Sequence, residues 1–235
     1  MFARRHMHEY GTKTTAFGTI AMNQRANAVR NPNAVMRKPI TLEDHASSRY
    51  ISAPLRLLDC CLNTDGCCAF IVTSAERARQ LKQRPAYIMG AAMGLGPKQE
   101  VVRTYNRPSM TTFPETQATS KRLFDMAGVK PSDVDVAQIY DHFTPGVLIA
   151  LEDWGFCKKG DGGPFVESGA TAWPSGKLPV NTHGGNLSEG YIHGFTHILE
   201  GVRQLRGTST SQVKNVELSF VASAAFVPTS GLILH

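Results

Sequence analysis

The stretch of greatest chemical interest is Val180-Asn181-Thr182-His183-Gly184-Gly185-Asn186-Leu187-Ser188-Glu189-Gly190-Tyr191-Ile192-His193-Gly194. A strand end, paired glycines, a turn and a helix start fall within it. Gly184 and Gly185 have no Cβ, so backbone there can pass close to a ligand. The N–H groups that open a helix stabilise negative charge. The pattern suits a place where an anion is bound or formed, with Asn181, Gly184 and Gly185 as candidate binding residues. On the residues alone, an ordinary glycine-rich strand-to-helix loop stays open.

The flanking elements must hold that stretch in place. Glu115–Ala127 has the pattern of an amphipathic helix closed by Gly128, and Val134–Tyr140 alternates like a strand. Thr144–Trp154 reads as an apolar helix, residues 160–177 as a long loop and Val180–Thr182 as a short strand. Glu189–Leu205 then reads as a helix with Tyr191 at its mouth, which puts His193, two residues on, on a different face. Val213–Ala222 and Thr229–Leu234 complete a β-α-β-α-β-β order, predicting a layered α/β domain over residues 113–235. Upstream, the first thirty residues read as helical after a start around Tyr10–Thr14, 31–63 as irregular, and Asp65–Ser74 as a buried strand. A helix over Ala75–Lys82, a strand over Ala86–Ala92 and a loop over 93–114 follow.

Composition narrows the function classes. Of 235 residues, 42% are hydrophobic and 19% charged, an ordinary globular mix. No apolar run approaches the roughly 20 residues of a membrane span, and the N-terminus has no apolar core of a secretory signal, which together predict a cytoplasmic protein. The net charge of +6 comes from 25 scattered Lys and Arg, without the clustering that nucleic-acid binding needs. A solvated basic surface accounts for it, as does attraction of an anionic substrate. Four of the five cysteines form adjacent pairs, Cys60-Cys61 and Cys67-Cys68. In a strand, neighbours point to opposite faces, so neither pair can hold one metal. The cysteines are expected to be reduced and mostly buried, and no metal site is expected.

The 180–194 stretch resembles the thiolase pattern Asn-x-x-Gly-Gly, then Gly-His-Pro-x-Gly, then a helix ending Leu-Arg-Gly, here Leu205-Arg206-Gly207. Tyr140-Asp141-His142-Phe143-Thr144 is similar to the His-Asp-x-Phe strand end of the sterol-carrier-protein type of thiolase. Arg49–Gly66 and Thr73–Ala78 resemble the same subfamily. The likeness runs along nearly the whole chain and covers the family's C-terminal part. It implies a thiolase-like layered α-β-α domain with a mixed sheet over residues 93–235, preceded by a remnant of the N-terminal domain over 1–92.

Departures from the family redirect the chemistry. The half bearing the acylated cysteine is largely absent, Tyr191 stands in the histidine's place, and Ser219–Gly231 contains no cysteine. A Claisen condensation needs thiols. Tyrosines at 140 and 191 resemble instead the thiolase-like aldolases of steroid side-chain degradation, which implies retro-aldol cleavage of a β-hydroxyacyl-CoA. Coenzyme A is then part of the substrate and no separate cofactor is expected. Tyr140 and Tyr191 would be catalytic, with His142 and His193 as relays, and Asp141 would join the substrate-binding residues or cap a helix. For Tyr140 a strand-end tyrosine bonded to backbone also stays open. His183 and His197 are expected to be structural or loop histidines. The resemblance further implies a homodimer and an OB-fold, acyl-CoA-associated partner. Acyl-CoA acyltransfer and non-catalytic acyl-CoA or lipid binding are the alternative functions.

Overall fold

In the computed structural model, which describes residues 1–94, 107–224 and 229–235, glycines in the left-handed region set several element ends. The N-terminal helical stretch divides at Gly11 (φ 68°) into α1 (Phe2–Tyr10) and α2 (Thr14–Arg30). Ala16, Ile20, Ala21 and Ala28 line the buried side of α2 as their spacing predicts. The irregular region holds α3 (Leu42–Ser47), opened by a reciprocal Thr41–Asp44 capping box, and a two-strand hairpin, β1 (Tyr50–Ser52) and β2 (Leu55–Arg56).

Asp65–Ser74 departs from expectation. It forms no strand, and Ile71 and Val72 are 93% and 70% exposed. An apolar run names a tendency to pair but not a partner, and no described strand lies alongside this one. The segment instead crosses the 190–195 loop, with Phe70 stacked on Phe195. The helix that follows, α4, is confined to Ala75–Ala78.

One mixed sheet organises the rest. Its strands are β3 (Ile88–Gly94), β4 (Val136–Ile139), β5 (Ser219–Ala222) and β6 (Thr229–Leu234), in the order β3-β6-β5-β4. Only β4 and β5 run parallel; the other pairs are antiparallel. The sequence-based domain boundary after residue 92 falls inside β3. Of the loop expected over 93–114, residues 95–106 lie outside the described residues. Between the strands come α5 (Pro114–Ala127), ended by left-handed Gly128, α6 (Thr144–Asp153), α7 (Gly162–Glu167), α8 (Gly185–Ser188) and α9 (Phe195–Arg206). Helix α7 lies in the stretch read as a loop.

The strands alternate faces, as a pleat requires. Phe220, Ala222 and Ile233 point to the larger core, with Leu123 of α5, Leu148 of α6 and Phe17 of α2. Val136, Val221 and Leu234 point to a second core under Leu205 of α9. The result is the expected α-β-α layering. No helix among the described residues is long and apolar enough to cross a membrane.

A buried hydrogen-bond knot holds the chain before residue 60 to the start of α6. Asp59 Oδ1 lies 2.8 Å from His45 Nε2 and accepts from the Thr144 hydroxyl at 2.6 Å, with Asp59 and Thr144 wholly buried. Asp59→Ala leaves both partners without an acceptor in a dry site. It should lower the unfolding free energy by about 3 kcal/mol, read from urea denaturation.

Candidate active site

Strand β4 delivers Tyr140 to its end. The Tyr140 N–H donates to the Ala222 carbonyl at 2.9 Å, so the parallel pairing continues one residue past the strand. On the other side of β4, the expected 180–182 strand is a single bridge between Ala137 and Val180. Asn181 turns left-handed there (φ 50°), and its side chain takes over the pairing. Its Oδ1 accepts from Ile139 N at 2.7 Å and its Nδ2 donates to Ile139 O at 2.8 Å. Asn181 is buried and committed to the backbone, a splint for the strand that carries Tyr140.

Asp141 is likewise turned inward. Its carboxylate accepts the Asn186 and Leu187 N–H groups at 2.8 and 3.1 Å and lies 3.0 Å from His197 Nε2. Those amides open α8 and have no partner within the helix. Gly185 (φ 64°) makes the approach possible, since a Cβ there would fall within 2.2 Å of Asp141 Oδ2. A Cβ on Gly184 (φ 112°) would strike Ala28 of α2. All four residues expected to bind substrate make contacts within the protein: Asn181 with Ile139, Gly185 with Asp141 and Gly184 with Ala28 of α2.

Tyr191 also sits differently from expectation. The helix read over Glu189–Leu205 is interrupted, because His193 (φ 50°) and Gly194 (φ 84°) are left-handed and α9 starts only at Phe195. Tyr191 rides on the loop between α8 and α9, and the helical spacing argument that separated it from His193 does not apply. Their ring centroids lie 5.7 Å apart.

This loop brings the two phenols together, with Tyr140 Oη and Tyr191 Oη 2.8 Å apart. Around Tyr140 stand His142 at 5.2 Å and His193 at 5.8 Å between ring centroids. Sequence reasoning had no role for Gly194, yet a Cβ there would come within 2.9 Å of the Tyr140 ring. The fixed spacing of the last glycine in the Gly190–Gly194 motif was its signal.

Tyr140, His142 and His193 line one end of a cavity of about 870 Å³, walled elsewhere by side chains such as Ala91, Met93, Ile198 and Leu232. Burial, and then the Tyr191 phenol, push the Tyr140 pKa well above the ordinary phenol value. Burial holds His142 down to about 4 against the opposing pull of Asp141, so its imidazole is neutral at pH 7. His183 is fully buried and held neutral for the same reason, and His197 is occupied by Asp141. Both are buried.

The cysteines are less buried than expected: Cys67 is exposed and the other four are half-buried. Cys61 acts electrostatically on Tyr140, and burial pushes its own thiol up to about 11. Cys157 is pushed up to about 12 by the same cause. Neither is disposed to form a thiolate at neutral pH. Among the described residues no group of His, Cys, Asp and Glu is placed to hold a metal.

The sequence matches the thiolase C-terminal domain-like family model over residues 97–233. Over 235 residues it is 51% identical to the 17-hydroxy-3-oxo-4-pregnene-20-carboxyl-CoA lyase of Mycobacterium tuberculosis and 48% identical to the steroid side-chain-cleaving aldolase of Thermomonospora curvata. These alignments cover 100% of this chain but 61% and 60% of the relatives. An Ltp2-ChsH2(DUF35) aldolase superposes with a TM-score of 0.93 at 46% identity, over 100% of this chain and 61% of that one. The chain spans about three fifths of the length of the relatives it matches.

Two outcomes follow from the site's internal bonds. Asp141→Asn removes a charge-assisted acceptor from three donors. It should cost about 2–3 kcal/mol of stability and speed hydrogen exchange at the Asn186 and Leu187 amides. His142 gives a pH signature. An unfolded histidine titrates near 6.5, so between about 6.5 and 4 the unfolded chain binds the extra proton and stability falls as pH drops. Unfolding midpoints of wild type and His142→Gln, compared at pH 7 and pH 4.5, should show wild type losing more on acidification.

Proposed function

The chain belongs to the thiolase C-terminal domain-like family, and on that premise we propose that it cleaves a β-hydroxyacyl-CoA by a retro-aldol reaction, with a steroid side-chain ester as substrate. The observation that carries this reading is the hydrogen bond between the Tyr191 phenol and that of Tyr140, which lines a large apolar cavity. The names of two relatives, a carboxyl-CoA lyase and a steroid side-chain-cleaving aldolase, support it.

Retro-aldol cleavage transfers one proton from the β-hydroxyl to the α-carbon. The β-oxygen becomes a ketone, the α–β carbon bond breaks, and its electron pair passes into a thioester enolate. The enolate is then protonated at carbon. A phenol held far above its ordinary pKa is a poor isolated base. Two phenols 2.8 Å apart avoid that difficulty: one takes the hydroxyl proton as the pair shifts its shared hydrogen and the other delivers a proton to carbon. Neither needs to persist as a phenolate. His142 and His193 both line the cavity, and the neutral imidazole of His142 supplies one N–H donor there.

No step needs a thiolate nucleophile, in keeping with the raised pKa values of Cys61 and Cys157. Likeness to an Ltp2-ChsH2(DUF35) aldolase supports a working complex with a DUF35-type, acyl-CoA-associated subunit. A homodimer of this chain within that complex is part of the same proposal, as is a cytoplasmic location.

Tyr140→Phe and Tyr191→Phe keep the rings and remove the oxygens. Each should lower the single-turnover rate of carbon–carbon cleavage by roughly 10²–10⁴-fold, with coenzyme A affinity and fold unchanged. Wild-type rates in both variants would end the assignment of the phenols to catalysis.

A further inference from the structure

Strands β4 and β5 are parallel and in register, with Ile139 opposite Ala222. One residue further on, Tyr140 and Ser223 therefore stand side by side, and their side chains emerge on the same face of the sheet. Val221, two residues before Ser223, faces α9, which fixes that face as the cavity side. Both Tyr140 and Ser223 line the cavity. Around Ser223 the lining includes the small or apolar Ala91, Ala222, Ala224 and Leu232 together with Ser230, and the Ser223 hydroxyl lies on the strand beside Tyr140.

The bonds to this hydroxyl leave its hydrogen available. Ser223 Oγ accepts from the Ser230 N–H at 2.8 Å, which anchors the oxygen. Its own donation, to the Ala224 carbonyl, is long at 3.4 Å. Turning that hydrogen toward a ligand forfeits a weak bond and keeps the strong one. A few fixed polar groups in an apolar cavity are what orient a bound ligand, and a preorganised donor acts most strongly where charge develops.

We propose that the Ser223 hydroxyl donates a hydrogen bond to the thioester oxygen as the enolate forms, making Ser223 a further catalytic residue. The proposal rests on the retro-aldol reading and divides the work. The phenols move the proton between the β-oxygen and the α-carbon, and Ser223 holds the enolate oxygen formed when the carbon–carbon bond breaks. No covalent bond forms to Ser223, and the proton count of the reaction is unchanged.

Two reactions, measured on the chain assembled with a DUF35-type partner, test this. One is single-turnover cleavage of a β-hydroxyacyl-CoA. The other is exchange of the α-hydrogens of propionyl-CoA with deuterium oxide, which passes through an enolate but breaks no carbon–carbon bond. Ser223→Ala should slow both by roughly 10²-fold with substrate affinity unchanged. Ser223→Cys, close in size but a weak donor, should be slowed as well, and Ser223→Thr should recover most of both rates. Should the alanine variant fail to fold, the cysteine and threonine variants carry the comparison. Wild-type rates in Ser223→Ala or Ser223→Cys overturn the proposal. So does slowed cleavage with unchanged exchange, which would mark a structural role. Exchange without cleavage by the wild type removes the retro-aldol reading alone, and the exchange rates still judge Ser223. A wild type that does neither removes both.

Discussion

The carboxylate of Asp141 is the contact on which the site's geometry depends. It sits one residue past Tyr140 and meets the Asn186 and Leu187 amides of α8 and the His197 ring of α9. Tyr191 lies in the short loop between those two helices. A single buried anion thus ties the strand that carries one phenol to both helices that flank the other. Without that tie the loop could drift by the few tenths of an ångström that separate a hydrogen bond from a mere contact. Asn181 reinforces it from the side by clamping the peptide of Ile139.

That arrangement fits chemistry performed by neutral groups. Burial keeps Tyr140 protonated and His142 deprotonated, so the cavity end presents hydroxyls and uncharged imidazole to a ligand. A neutral site can sit against apolar walls without the desolvation cost of a buried charge. The charged group of the region, Asp141, is removed from the cavity and surrounded by its own donors. Separating the charge that builds the site from the neutral groups that line it lets one short segment, Tyr140-Asp141-His142, perform both tasks.

The sequence reveals the layers and the convergence of the phenols more readily than the reasons for them. Sequence pattern predicts α5, β4, α6 and β6 within a few residues: α5 has one buried face and ends at Gly128, whereas β4 and α6 are buried on every side and read as apolar runs. The resemblance assigns Tyr140 and Tyr191 to one site, and they form a hydrogen bond. Short-range signals fail where a long-range partner decides. Asp65–Ser74 has the composition of a buried strand but no described neighbour to pair with. The 189–205 stretch has a helical pattern, but backbone at His193 and Gly194 breaks it. Asn181, Asp141 and the paired glycines have types that suit a ligand, and only the fold shows that the neighbour they meet is protein. Ser223 was invisible because a lone serine carries no signal until strand register sets it beside Tyr140.

The register of β4 against β5 also limits how this sequence can change. Side chains alternate along a strand, so substituting one residue alters one contact, whereas adding or deleting one inverts everything after it. An insertion between Val136 and Tyr140 would swing the phenol to the opposite side of the sheet, among Phe220 and Ile233, and turn Asp141 away from α8. Length variation in descendants of this chain should therefore collect in the surface connections, such as the exposed turn at Pro174-Ser175. The five-residue run from Val136 to Tyr140 should vary in composition while its length stays constant.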